Sequence, residues 1–192
     1  MRTRRRTGSP VHAWALAALL AAGCYRGTAV DTAPDALARD PNWIRVELPE
    51  VRQTGASDCG AAALASVLDY WRRPTSLAAI EDVVDTKHGG ASLGELEQFA
   101  RARGLDAFVI NAEVSDLEHE LGAGRPVIVG MIKPYRPGRG IAHYEVVIGY
   151  EPVRKRVLTF DPAHGLREND LAGFLREWEP AKRVALVAFE KE

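Results

Sequence analysis

The apolar run Pro126–Ile132 (PVIVGMI) leaves no polar position for solvent on either side. Successive side chains of a strand point to opposite faces, so this segment reads as a strand buried on both. The segments after it supply the sheet such a strand needs. His143–Tyr150 and Val157–Phe160 pair as a hairpin across Glu151–Arg156, and Arg183–Glu190 closes the chain as a last strand. Lys133–Gly140 (KPYRPGRG), with two prolines and two glycines, reads as a loop, and Glu168–Trp178 as a helix. The half before the run is helical. Asp58 is a good N-cap, after which Ala63, Leu64, Val67, Leu68 and Trp71 recur at helical spacing until Pro74. Leu77, Ile80, Val83 and Val84 mark a second helix that stops before Gly89-Gly90. Ser92 and Glu95 form a capping box for a third, with Leu93, Leu96, Phe99 and Ala100 inward and Gly104 as its stop. Strand Asp106–Asn111 follows, and a short helix begins at a second such box, Ser115 to Glu118. Helices first and an antiparallel sheet second define an α+β class.

Composition narrows the function classes. A net charge of −1 argues against a nucleic-acid binder that relies on a basic face. Two cysteines, Cys24 and Cys59, exclude a disulfide scaffold. The basic charge is concentrated at the start, in Arg2, Arg4, Arg5 and Arg6, ahead of the twelve-residue apolar run Val11–Ala22. That run is too short to span a bilayer and suits the h-region of a secretory signal. It ends at Ala21-Ala22-Gly23-Cys24, which resembles the lipobox of bacterial lipoprotein signal peptides. The resemblance implies that 1–23 is a lipoprotein signal peptide and that Cys24 becomes the lipidated first residue. The mature chain then carries 21 basic against 26 acidic residues. Residues 24–41, rich in Ala, Asp, Thr and Pro, read as the lipidated Cys and a flexible tether, and 42–192 as one domain. The expected location is outside the cytoplasm, lipid-anchored at an outer membrane facing the periplasm or at the cell surface.

Export leaves Cys59 as the one thiol without an assigned role. It stands at the first turn of a helix, where backbone N–H groups and the helix dipole favour a thiolate, and Gly60 leaves room beside the sulfur. A thiolate nucleophile wants a base, and the base an orienting group. Of five histidines, His12 leaves with the signal, His119 lies in a polar helix, and His88 and His164 sit in loops. His143 starts a strand, and Asp161 ends the next one, so antiparallel pairing can bring them together. Each also has an ordinary reading: a buried small Cys, a surface His, a turn-forming Asp before Pro. No metal or other cofactor is implied, because the His and Asp residues lack ligand spacing.

Gln53, then Asp58-Cys59-Gly60-Ala61-Ala62-Ala63-Leu64, resembles the Q…DCGxAxL block of the papain-like cysteine peptidases that process bacteriocin precursors, the double-glycine leader peptidases of family thirty-nine. Gly124–Ile128, His143–Val147, Phe160–Ala163 and Gly165 resemble that family's remaining blocks in the same order, and the likeness covers about residues 48–178. The resemblance implies a papain-like fold, with the nucleophile helix of an N-terminal helical half packed on a C-terminal antiparallel sheet. It implies Cys59 as nucleophile, His143 as general base and Asp161 as the residue orienting it. Gln53 would supply its side-chain amide, with the Cys59 N–H, to an oxyanion hole.

The leading expectation is therefore a membrane-anchored cysteine peptidase that processes exported polypeptides, of the free-standing form, with a secretion or transport system as a further partner and no nucleic acid. Two alternatives share the fold: a peptide-binding accessory lipoprotein, and another acyl transferase or amidase. The Lys133–Gly140 and Lys87–Ala91 loops would partly build specificity pockets, and the basic stretch Lys133–Arg139 reads first as a solvated loop. If Cys24 carries the anchor, Cys24→Ser releases the protein from the membrane fraction. A processed variant that still sediments with membranes would place the anchor elsewhere.

Overall fold

The computed structural model of the protein describes residues 27–34, 37, 40–84 and 90–191. The signal segment, Cys24 and His88 lie outside them. Eight strands form a single antiparallel sheet: β1 (Val30–Asp31), β2 (Ile44–Arg45), β3 (Leu105–Asn111), β4 (Val127–Arg136), β5 (Arg139–Glu151), β6 (Arg156–Asp161), β7 (Gly165–Asp170) and β8 (Val184–Glu190). Their order is β1-β7-β6-β5-β4-β8-β3, with β2 paired to the far end of β5. Among the described residues there are five α-helices, α1 (Cys59–Tyr70), α2 (Leu77–Glu81), α3 (Leu93–Ala102), α4 (Val114–Gly122) and α5 (Leu171–Trp178); α2 packs on α1, and the other four pack against this sheet. Among the described residues no helix is long and apolar enough to cross a membrane.

Val127–Met131 is buried at every position, so both faces of β4 are covered, as the apolar run requires. The helix α1 is enclosed more fully than an amphipathic pattern asks for: Cys59 through Leu68 are all buried. Small residues make this possible, since Ala61, Ala62, Ala63 and Ala65 let neighbours approach on every side. Ser66 is the polar member of that stretch. It accepts from the Val51 N–H at 2.9 Å and donates to the Ala62 carbonyl at 3.1 Å, so its hydroxyl is satisfied inside the core. The capping box of α3 forms as its sequence foretells, with the Ser92 hydroxyl and Glu95 carboxylate exchanging bonds.

Tertiary contacts revise several local expectations. The helix α2 ends at Glu81 and leaves Val83 70% exposed, although the apolar spacing that marks this helix groups Val83 on one inward face with the buried Ile80. The start of α4 uses Asp116, which accepts from the Glu113 N–H at 2.7 Å, in place of the Ser115–Glu118 box. Lys133–Gly140 is mostly strand: β4 runs to Arg136, turns at Gly138 (φ +72°) and resumes as β5, with a register shift that accommodates Pro134. His143 consequently lies well inside β5 instead of at its start. The stretch Glu168–Trp178 divides into the end of β7 and the helix α5, because Glu168 is drawn into strand pairing with Val30 and Leu158. The segment read as a tether contributes β1, and Ala29 and Leu37 are buried.

Phe174 is 1% exposed and lies 5.2 Å, ring to ring, from Trp178. Phe174→Ala should cost about 3–5 kcal/mol in urea unfolding, whereas Val83→Ala should stay within about 0.5 kcal/mol. A large loss at Val83 would restore the inward-facing reading of that residue.

Candidate active site

Cys59 opens α1 and is 8% exposed. Asp58 takes the N-cap position, yet its carboxylate does not cap the helix. Oδ2 instead accepts from the Thr54 N–H at 2.8 Å, the Thr54 hydroxyl at 3.1 Å and the Gly55 N–H at 2.8 Å, folding the loop before Cys59 back on itself. The N–H groups of the first turn are thereby left for an anion at the sulfur. Gly60 is needed for close approach, since a Cβ there would stand 2.9 Å from the Tyr144 ring. Burial pushes the Tyr144 hydroxyl up to about 12, with the Cys59 charge adding to it, so it stays protonated beside the thiol.

The hairpin of β5 and β6 delivers the other two groups. His143 Nε2 is 2.8 Å from Asp161 Oδ1, and the two residues are 5% and 1% exposed. The His143 ring also hydrogen-bonds Cys59. Burial opposes charge on the ring, but hydrogen bonds to Asp161 and Cys59, together with their charges, outweigh it and push its pKa up to about 10. The protonated imidazole is therefore favoured where it lies, between the Asp161 carboxylate and the Cys59 sulfur. His164 occupies the other oxygen of Asp161, Nδ1 to Oδ2 at 3.0 Å, with its side chain 36% exposed. Asp161 thus holds both histidines, and His143 is the one that bonds Cys59.

Gln53 comes to the same place by another route. Its N–H donates to the Pro162 carbonyl at 3.1 Å, tying the loop before α1 to the turn after Asp161. Its Nε2 donates to the Gly55 carbonyl at 2.8 Å, and its Oε1 is buried with no hydrogen-bond partner among the described residues. Arg52 Nη2 reinforces the seam by donating to the Ala163 carbonyl at 3.1 Å. His119, read as a solvated residue, is exposed on α4.

Sequence reasoning passed over Lys133, Glu145 and Glu177. Lys133 was placed in a solvated loop but is 2% exposed, with Glu145 and Glu177 buried against its ammonium. His143, Glu145 and Asp161 each bring one ring nitrogen or carboxylate oxygen within 4.8 Å of the others, the kind of cluster that holds a metal. Here Lys133 already supplies a cation to the Glu145 carboxylate. The available signal was Glu145 itself, a charged residue in register with His143 inside an otherwise apolar strand.

Residues 47–192 match the Peptidase C39 family. The mesentericin-Y105 transport/processing ATP-binding protein of Leuconostoc mesenteroides is 28% identical over 128 residues, covering 67% of this chain and 17% of that protein. This chain thus spans about a sixth of the length of that curated relative. The peptidase domain of Streptococcus ComA, a bifunctional ABC transporter of a quorum-sensing pathway, superposes with a TM-score of 0.63 at 25% identity, covering 76% of this chain and 98% of that one. A double-glycine-motif protease from an AMS/PCAT transporter, solved with its leader peptide, shares the fold with a TM-score of 0.63 at 23% identity over 77% of this chain and 94% of that one.

A folded-state pKa about 10 against an ordinary 6.5 means that the folded protein binds the His143 proton more tightly than the unfolded chain. That contribution to stability is complete below pH 6.5 and is lost as pH rises through 10. The stability gap between the native protein and His143→Gln should therefore narrow steadily across that window in urea unfolding. A gap that widens with pH would mean the ring is held neutral.

Proposed function

Because this chain belongs to the peptidase C39 family and is a papain-like cysteine peptidase, we propose that it processes exported polypeptides from a membrane-anchored position, with Cys59, His143, Asp161 and Gln53 as its machinery. The observation that carries the assignment is His143 lodged between Asp161 and the sulfur of a helix N-terminus. The thiolate attacks the scissile carbonyl, forming the S–C bond and moving the carbonyl electron pair onto oxygen. The oxyanion develops beside the Cys59 N–H, and Gln53 Nε2 joins it by exchanging the Gly55 carbonyl for the substrate oxygen. Collapse breaks the C–N bond, and the His143 proton leaves with the amine. Water then attacks the thioester carbonyl and gives a proton to His143, and collapse breaks the S–C bond, releasing the acid and the thiolate and so restoring the ion pair.

The structural relatives act on leader peptides or serve transporters, and a peptide ending in Gly-Gly is the first substrate to try. Anchoring at Cys24 would hold the domain close to the bilayer. Thr28 is fixed to Glu177 and Asn169, which leaves only Tyr25–Gly27 between it and Cys24. Fully extended, that stretch reaches about 14 Å. A substrate for this site would therefore be met at the membrane surface, as it emerges from a transport system.

With a Gly-Gly leader peptide as probe, Cys59→Ala and His143→Ala should each abolish turnover. Asp161→Asn should leave a measurable remainder, because it orients a ring that the thiolate also holds. Gln53→Ala should lose about 10²–10³ in kcat with little change in melting temperature. Should His164→Ala abolish turnover while His143→Ala works near normally, His164 is the base.

A further inference from the structure

The strand β5 places His143 and Glu145 two residues apart, hence on the same face. Its partner β6 continues the Val146↔Phe160 register one step to bring Asp161 across from Glu145. Like charges directly opposite one another destabilise a sheet, and both carboxylates are nearly solvent-free, at 1% exposure each. The arrangement therefore needs buried cations, and the structure supplies them from two sides.

Lys133 on β4 is the first. Its ammonium contacts Glu145 and lies 2.6 Å from Glu177 Oε2 of α5, a helix packed against β4. Burial works against its charge, but the two carboxylates prevail and hold it protonated above the ordinary lysine value. Glu177 is saturated from the far side by the Thr28 N–H and hydroxyl, and Thr28 in turn accepts from Asn169 Nδ2 at 2.7 Å. One lysine facing Glu145 and Glu177 leaves a single negative charge in this triad. Asp161 adds another, and the partly exposed His164 shares only its outer oxygen. His143 is the second cation.

We propose that Glu145 is a positioning residue of the catalytic centre: clamped by Lys133, its carboxylate keeps a net negative charge beside His143 and holds that ring protonated and turned onto Asp161. It touches neither the thiol nor the substrate, and it acts through His143. Lys133 orients Glu145, and the bond from Thr28 to Glu177 seals the cluster from water. The groups facing Glu145 are thus Lys133 from β4, Glu177 from α5, Asp161 from β6 and His143 from β5 itself, with Cys59 of α1 beyond the ring.

The inference rests on the site assigned above and is tested without turnover. In the Cys24→Ser chain, whose one thiol is Cys59, the ¹⁵N resonances of the His143 ring report its protonation across pH, and iodoacetamide reports the thiolate. Glu145→Gln keeps the shape and an oxygen for Lys133 while removing the charge. It should lower the pH at which His143 loses its proton by about one unit. Glu145→Asp, which restores the charge, should return the midpoint toward the native value. If Glu145→Gln fails to fold, Glu177→Gln removes the outer carboxylate and should shift the midpoint in the same direction by less. A His143 midpoint unmoved in whichever of these variants folds overturns the proposal. That result would leave the peptidase assignment standing if Cys59→Ala and His143→Ala still abolish turnover; retained turnover in those two would sink the assignment itself.

Discussion

The Asp161 carboxylate joins the two halves of the molecule. One oxygen holds His143 and the Ala163 N–H, each at 2.8 Å, and the other holds His164. The turn that this carboxylate stabilises presents the Pro162 and Ala163 carbonyls to Gln53 and Arg52. Those two residues begin the loop that Asp58 folds back and that ends in Cys59. Cys59, His143 and Gln53 are thus brought together by one seam between the helical half and the sheet. Five of these seven bonds run to backbone atoms of the two loops, and the other two hold the histidines.

Beneath the seam the sheet carries an unusual load of buried charge. Lys133, Glu145 and Glu177 are each 2% exposed or less. Desolvating such groups costs several kcal/mol per ion, which mutual attraction repays only when each finds good partners. Here two carboxylates share one ammonium, and Thr28 bonds the other oxygen of Glu177. A buried ion cluster is poor evidence for stability in itself. It lies beside the His143 ring, where the proposed positioning role draws on a charge that apolar residues of equal volume would lack.

The same cluster gives the N-terminal segment a structural role. Thr28 and β1 tie the described residues 27–34 to the domain, where composition alone reads a tether. An alanine- and aspartate-rich sequence has little apolar area with which to order itself. Pairing with an available strand edge does so through backbone bonds, which composition does not report.

The sequence alone determined what nearest neighbours along the chain decide. The helix α3 with its box, the buried run of β4, the thiol at a helix start and the order of the family blocks all rest on local spacing, so they were legible before any coordinates. His143 and Asp161 were also within reach, because a hairpin register is nearly local. What the tertiary structure decided was partnership. His143 and His164 lie on the two oxygens of one carboxylate, and only the placement of α1 shows which of them reaches Cys59. Lys133 and Glu177, forty-four positions apart, read separately as a solvated loop and a polar helix position. β7 was invisible because its last three residues, Glu168–Asp170, read as the start of a helix, and pairing with β1 and β6 draws them into a strand. The physical reason is common to all three. Burial and charge pairing are properties of what a residue meets across space, and a charged side chain looks the same in sequence whether water or a counter-ion awaits it.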